Sequence, residues 1–528
     1  MRFDDGSLRA GFLKQVAARP NAPALVVKDR IWSYGELDET ARRWAGATIR
    51  RLGRPVERIG IFGSRSQVSY TSALAALYSG AAFVPLNPRF PADRTRAMIC
   101  HADLDAIFVD KLASNQLMAV VDGLGKLPHI WLPDTDSAEE LSLSQPIGEE
   151  LLQLPASRLA YLLFTSGTTG SPKGVPILHS NVRSFINWAV DRYQIHPEDR
   201  FSQTFDQTFD LSVFDLFVAW EAGACVYAMS PIDLLAPSKF INKNKLTVWF
   251  SVPSVPAQMR KRNLLGSGIL PTLRWSLFCG EPLPRASAEA WQAAAPNSIV
   301  ENLYGPTELT IACTVHRWDP KVSPPLCVNG MVAIGKPFPG LTAALVDDRL
   351  RRVSDGEPGE MCICGAQTSP GYWKDPVTTS KHFVKISGSG LPDEIFYRTG
   401  DQARQLPNGE YVCLGRTDHQ IKVMGFRVEL GEIEEVLQRG TGVVQAVAIG
   451  WPVSEGTAQG IVAFVNGAAV DTAELKRACK LSLSDYMVPS RIIPVDDMPL
   501  NANGKIDRTM LRIRLEGGEF NLAESRCA

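Results

Sequence analysis

The segment Thr165-Ser166-Gly167-Thr168-Thr169-Gly170-Ser171-Pro172-Lys173-Gly174 follows the apolar run Leu162-Leu163-Phe164. Glycine lets a backbone turn its N–H groups inward around an anion, and Ser and Thr hydroxyls add donors. Lys173 brings one mobile positive charge to the same loop. Such a loop holds a polyphosphate while its bonds are rearranged. The spacing is not that of the G-x-x-x-x-G-K-[ST] loop, which leads into a helix. Here Pro172 precedes the lysine and Gly174-Val175-Pro176 follow it, so the chain is expected to run on into a strand or turn. A flexible Ser/Gly linker is the competing reading; the apolar approach and the placed lysine speak against it.

Four further segments carry candidate chemistry. Glu301-Asn302-Leu303-Tyr304-Gly305-Pro306-Thr307-Glu308 sets a carboxylate after a Gly-Pro turn. Beside a phosphate loop this is a natural Mg²⁺ contact, because hard cations take oxygen ligands and bridge a carboxylate to phosphate oxygens. Tyr304 could stack on a nucleobase and Asn302 could hydrogen-bond it; in isolation the segment could equally be an exposed turn. Tyr397-Arg398-Thr399-Gly400-Asp401 offers a carboxylate able to accept from both hydroxyls of a ribose, or a turn Asp that serves its own backbone. Between Gly415 and Glu434 charges alternate with apolar residues, which alone would fit a solvated amphipathic strand. Asn501-Ala502-Asn503-Gly504-Lys505 puts a lone lysine on a Gly turn, a cation able to neutralise charge during phosphoryl chemistry.

These residues need a frame. A chain of 528 residues exceeds what one hydrophobic core usually supports, so two or more domains are expected. Hydrophobic content of 45% with 21% charged residues is ordinary for a globular protein. A net charge of −1 argues against nucleic acid as the main partner. The N-terminus lacks a basic region followed by an apolar run, and the apolar stretch 73–86 is too short and too interrupted for a bilayer. Neither a secretory signal nor a membrane partner is expected. The ten cysteines lack paired metal spacing, which fits reduced thiols and a cytoplasmic location. Cys362 and Cys364, two apart, fall on one face of a strand.

Over the first 300 or so residues, helical segments (37–51, 70–78) alternate with strands (58–62, 82–86, 106–109). That alternation predicts an α/β class with a largely parallel sheet covered by helices. From about 328 to 417, Gly/Pro turns punctuate short β-rich pieces, which marks a β subdomain. Residues 418–528 form a separate α+β domain, with a helix at 431–439, strands at 443–450 and 460–465, and a helix at 472–483.

In this order and over nearly the whole chain, the five segments resemble the adenylate-forming superfamily: adenylation domains of nonribosomal peptide synthesis, acyl-CoA synthetases and luciferases. The resemblance runs from Trp32-Ser33-Tyr34-Gly35-Glu36-Leu37 to Lys505. It implies a large N-terminal domain (1–417) of two α/β sheets and a β subdomain, with a small mobile C-terminal domain hinged at Asp418. By position, Thr165, Ser166, Gly167, Thr168, Thr169 and Lys173 would hold the β- and γ-phosphates of ATP. Gly280, Glu281, Pro282, Asn302 and Tyr304 would embrace adenine, and Gly305 would be a further nucleotide contact. Thr307 and Glu308 would serve phosphate and Mg²⁺. Asp401, with Arg416 beside it, would bind ribose, and Lys505 would bridge the substrate carboxylate and the nucleotide. Attack of a carboxylate on the α-phosphorus would give an acyl-adenylate and pyrophosphate. Rotation at the hinge would then admit a thiol. One departure is small: Thr168-Thr169 stands where peptide-synthetase domains commonly have Ser-Thr.

The same alignment addresses the acid. Asp210, in Phe209-Asp210-Leu211-Ser212-Val213-Phe214, falls where amino-acid-activating members pair the substrate's α-ammonium. An acid without an amino group would leave that carboxylate unpaired, which disfavours an acyl-CoA synthetase. The alternative is Asp210 as a helix cap. Leu211, Phe214, Phe250, Leu277, Cys279, Leu303, Ile311 and Ala312 would line the side-chain pocket. All are apolar or weakly polar, so a polar side chain would lose its hydration without replacement. The pocket suits a small or medium apolar amino acid and resembles that of free-standing prolyl-activating enzymes; alanine, valine and 2-aminobutyrate stay open. The residues after Lys505 hold no carrier-domain attachment serine, so the phosphopantetheine arm of a separate carrier protein is the expected acceptor. A catalytically silent nucleotide-binding module is a third reading, disfavoured because every charged position needed for chemistry is present.

Overall fold

The computed structural model describes residues 6–148, 154–167, 172–386, 388, 390–454, 456–468, 470–500 and 506–520. The chain forms a large N-terminal and a small C-terminal domain. Its contacts divide it into two compact units. One comprises Met1–Pro88, Met98–Phe164 and Lys173–Thr417; the other comprises Arg89–Ala97, Thr165–Pro172 and Asp418–Ala528.

The large unit is built on two α/β sheets. A six-stranded sheet runs in the order His129–Trp131, Ala106–Val109, Arg58–Phe62, Ala82–Leu86, Leu159–Thr165, Lys173–Leu178. Ala82–Leu86 and Ala106–Val109 are buried at every residue. Unbroken apolar strands of this kind belong to parallel sheets covered on both faces. The helix Gln67–Tyr78 is buried from Val68 onward, as expected of a helix that is apolar on all sides. The helix read at 37–51 begins earlier, at Tyr34, and ends at Leu52. Ser33 Oγ accepts the Glu36 amide at 3.2 Å and Glu36 Oε2 accepts the Ser33 amide at 2.7 Å. This reciprocal cap satisfies two otherwise orphaned donors and sets the start.

A nine-stranded sheet positions the candidate site. Its centre holds the parallel strands Ile299–Tyr304, Trp275–Phe278, Val248–Ser251, Arg200–Gln203, Cys225–Ala228 and Pro23–Val27. Antiparallel edges are added by Thr314–Arg317 and Lys336–Pro337 on one side and by Arg30–Ser33 on the other. A five-stranded antiparallel sheet follows, made of Leu341–Val346, Gly359–Gly365, Phe383–Lys385, Ile395–Gln405 and Tyr411–Arg416. Cys362 and Cys364 share a buried face of it with Ala344, Val346, Ile386 and Phe396.

The small unit carries the hairpin Gln420–Val423 and Phe426–Glu429, then the helix Leu430–Gln438. Strands Val443–Gly450 and Ile461–Gly467 pair antiparallel, and Arg491–Pro494 joins the latter in parallel. The helix Thr472–Ser482 covers one side of this core through Leu475 and Cys479, and Arg508–Glu516 another through Leu511 and Leu515.

Candidate active site

The parallel strands Val248–Ser251, Trp275–Phe278 and Ile299–Tyr304 lie side by side in the nine-stranded sheet, with their carboxyl ends together, the place where ligands bind in open α/β folds. Phe250 pairs with Leu277 in register, and Leu277 with Glu301. Alternation then sets Phe250, Leu277, Cys279 and Leu303 on one face. Leu211 and Phe214 reach the same apolar cluster from the segment after Gln203, and Ile311 and Ala312 from the turn after Tyr304. Phe214 and Phe250 meet edge to face with ring centroids 4.8 Å apart. The eight apolar residues named from sequence are thus gathered into one core.

Asp210 precedes the short helix Leu211–Val213, which continues as a π-turn, Phe214–Val218. Its side chain makes no helix-cap hydrogen bond. Instead Oδ2 accepts the Ile311 amide at 3.0 Å. Burial pushes the Asp210 carboxyl up to about 7. The Ile311 amide opposes that shift, the nearby Glu308 charge adds to it, and the Thr307 hydroxyl opposes it again. A group so placed is ionised at neutral pH only in part unless a cation joins it.

Thr310 and Ile311 both adopt left-handed backbone, with φ of 57° and 73°. Both are β-branched, and each such residue costs about 1–3 kcal/mol, so the surroundings must over-determine the turn. Gly305 packs against its far side. A Cβ there would stand 2.5 Å from Ala312 Cα and 2.9 Å from the Cys313 nitrogen. Those are backbone atoms that cannot swing aside. Gly305→Ala is therefore expected to lower stability by about 1–3 kcal/mol and to depress amino-acid-dependent pyrophosphate exchange. Thermal unfolding and exchange assays together check it.

Of the residues that the resemblance assigns to the nucleotide, Tyr304, Asp401 and Arg416 meet. Tyr304 Oη donates to Asp401 Oδ2 at 2.6 Å, and Arg416 Nη1 donates to Oδ1 at 2.7 Å. Asp401 and Arg416 are paired across neighbouring strands, and the Asp401 amide donates to Thr399 Oγ1 at 3.1 Å. Burial holds the Tyr304 phenol well above its ordinary range. Asn302 Nδ2 donates to the Ala333 carbonyl at 2.8 Å, while its buried Oδ1 has no partner among the described residues. Gly280 has φ of 96°. Glu281 Oε2 accepts the Ser254 amide at 2.8 Å, at the start of the helix Ser254–Lys261.

Thr307 and Glu308 lie in a 3-10 turn, and Glu308 is fully buried. Its Oε1 accepts from Tyr372 Oη at 2.7 Å, which lies 3.3 Å from Tyr397 Oη. Lys173 Nζ sits 5.8 Å from the centre of the Tyr372 ring. Lys173 begins the strand Lys173–Leu178, so the phosphate loop does run on into a strand. Thr165 ends the strand Leu159–Thr165, with Ser166 and Gly167 following. Thr168, Thr169 and Lys505 lie outside the described residues. Asp418 accepts the Gln420 amide at 3.1 Å in a local turn. Among the described residues no group of three His, Cys, Asp or Glu could hold a metal by itself. A cation at Glu308 would take that carboxylate and complete its shell with phosphate oxygens and water, the usual arrangement for Mg²⁺.

Sequence reasoning quoted Thr399 without giving it a role and missed Tyr372 and Gln367. Tyr372 follows a Pro-Gly turn, a modest signal for an aromatic carried to a site. Gln367 had none.

Comparison with known proteins follows the same outline. A family model described as AMP-binding enzyme matches residues 12–373, and one for the AMP-binding enzyme C-terminal domain matches 432–505. The probable non-canonical nonribosomal peptide synthetase CymA of Salinispora arenicola is 34% identical over 508 residues, covering 95% of this chain and 6% of that protein. Tyrocidine synthase 3 of Brevibacillus parabrevis is 33% identical over 511 residues, 96% of this chain and 8% of that protein. The chain therefore spans less than a tenth of the length of either. The Vibrio cholerae adenylation domain AlmE, crystallised with glycyl-adenosine-5'-phosphate, superposes with a TM-score of 0.86 at 32% identity, covering 97% of this chain and 98% of that one.

Proposed function

The chain belongs to the AMP-binding enzyme family, as an adenylation domain of the nonribosomal peptide synthetase type, and from that premise we propose that it activates a small or medium apolar amino acid, proline first. Members of this class are AMP-forming ligases. The observation that carries the amino-acid reading is Asp210: a buried carboxylate next in sequence to the apolar cluster of Leu211 and Phe214, which the substrate's α-ammonium would hold ionised. AlmE carries a glycyl-adenylate, the kind of intermediate expected here. The Phe214 and Phe250 rings and Leu277 favour an apolar ring or short branched chain over a polar one.

In the first reaction a carboxylate oxygen of the amino acid attacks the α-phosphorus of ATP. A P–O bond forms, the bond to the β-phosphate bridging oxygen breaks, and pyrophosphate leaves. Positioning and charge neutralisation supply the catalysis. The 165–173 loop grips the β- and γ-phosphates, and Asp401 with Arg416 takes the ribose. The unpaired Asn302 Oδ1 is an acceptor for the exocyclic amine of adenine. Mg²⁺, held by Glu308 and phosphate oxygens, would offset phosphate charge. In the second reaction a carrier-protein phosphopantetheine thiol attacks the acyl carbon; AMP leaves as the thioester forms. Hinge rotation at Asp418 would separate the two steps. A cytoplasmic setting is part of this reading, on the cysteine usage: no disulfide joins the nine cysteines of the described residues.

ATP–pyrophosphate exchange across the amino acids, with fatty and aryl acids included, tests the proposal. The expected result is exchange with proline above alanine, valine and 2-aminobutyrate, and none with acids lacking an amino group. Exchange confined to non-amino acids would favour an acyl-CoA synthetase, and no exchange with any acid would favour a silent module.

A further inference from the structure

We propose that Gln367 is a positioning residue for the amino-acid site, holding the left-handed turn at Thr310 and Ile311 that orients Asp210 and carries two walls of the pocket. The inference rests on the reading that Asp210 binds the substrate's ammonium. Gln367 is itself buried, two residues beyond the strand Gly359–Gly365. Its Nε2 donates toward the carbonyls of Ala312 at 2.7 Å, Leu309 at 3.1 Å and Thr310 at 3.2 Å. Two N–H groups serve three carbonyls, so one bond is shared. In return Thr310 Oγ1 donates to the Gln367 carbonyl at 2.7 Å. One side chain therefore meets the backbone before, within and after the two left-handed residues.

The post that Gln367 stands on is also fixed. Asn181 Nδ2 donates to the carbonyls of Ala366 at 2.8 Å and Thr368 at 3.2 Å. The Ser369 amide donates to the Glu308 carbonyl at 2.9 Å, and Ser369 Oγ to the Pro176 carbonyl at 2.8 Å. One short strap thus holds both the Glu308 turn and the Ile311 turn. A left-handed Thr-Ile pair does not persist without external hold. Were it to relax, the Ile311 amide would leave Asp210 Oδ2, and Ile311 and Ala312 would shift in the pocket. The residue must donate: methionine at this position would fill the space and take this donor from the Leu309 and Ala312 carbonyls, while the Thr310 carbonyl would keep only the Ala312 amide.

The test is Gln367→Met in the full chain, assayed by pyrophosphate exchange. The expected result is a KM for the amino acid raised about ten-fold or more, with the KM for ATP within about two-fold, because no nucleotide-side group is bonded by Gln367. Selectivity against an amino acid one methylene larger should fall. Adding Thr310→Gly should recover part of the lost affinity, since glycine adopts positive φ without strain. Should Gln367→Met fail to fold, Thr310→Val, which removes only the hydroxyl bond to Gln367, is read the same way. Both KM values moving together, an unchanged amino-acid KM, or no recovery in the double variant would overturn the proposal. An unmodified chain that activates no amino acid would sink the functional reading and this inference with it. An active chain indifferent to Gln367→Met would sink this inference alone.

Discussion

Asp210→Asn is expected to raise the KM for the amino acid by roughly 30-fold or more, the low end of what losing one partner of a buried charge pair costs, while the KM for ATP stays near its original value. Asparagine keeps the shape and can still face the Ile311 amide, so the pocket walls stay in place. What disappears is the charge that answers the substrate's ammonium. Steady-state exchange kinetics with each substrate varied in turn check the split. An unchanged amino-acid KM would remove Asp210 from the binding site.

The same residue fixes a pH dependence. With its carboxyl at about 7 in the free protein, Asp210 is largely protonated below neutrality. Only the ionised form pairs with ammonium, so amino-acid affinity should weaken as pH falls through about 7, by up to about ten-fold per unit. That dependence should vanish in Asp210→Asn. For stability the sign is opposite. The folded-state value lies above that of an unfolded Asp, so the contribution to stability is full below about pH 4 and is lost as pH rises through about 7. Without amino acid, Asp210→Asn should therefore melt at or above the temperature of the unmodified chain in mildly alkaline buffer, with the gain shrinking as pH falls. Binding is here held in tension with folding.

Strands such as Arg58–Phe62, Ala82–Leu86 and Ala106–Val109 were legible because unbroken apolar runs between turns have few other uses in an α/β chain. The joining of Tyr304 to Asp401 was not, since 97 residues separate them and only the pairing of Asp401 with Arg416 on neighbouring strands brings that carboxylate to the Tyr304 hydroxyl. Thr310 and Ile311 were the least legible. β-branched residues favour extended backbone, and no glycine marks the reversal. Local bonds from the Thr310 amide to the Thr307 carbonyl and from the Ala312 amide to the Thr310 carbonyl close the turn, and Gln367 and Asp210 brace it from distant parts of the chain. A site held by such bonds leaves its composition in the sequence but not its backbone.

Lys505→Ala is expected to lower the rate of aminoacyl-adenylate formation by about 10²–10³-fold, the usual effect of removing one group that stabilises charge in a transition state. The physical reason is the timing of the charge. On the proposed reading the 165–173 loop would already meet the phosphates of ATP, with Glu308 holding a Mg²⁺ that would offset their charge, so ground-state binding would have little need of a further cation. Negative charge grows only as the carboxylate oxygen closes on the α-phosphorus and pyrophosphate departs. An interaction made at that moment alone appears in kcat and not in the KM for ATP. Equilibrium binding of ATP by the variant should stay within about three-fold of the unmodified chain, with adenylation failing beside it. Transfer from chemically prepared aminoacyl-AMP to a carrier-protein thiol should survive, because thiol attack at the acyl carbon builds no charge on a pentacoordinate phosphorus. Loss of ATP binding, or equal loss of both half-reactions, would show that Lys505 serves the nucleotide ground state or the fold instead.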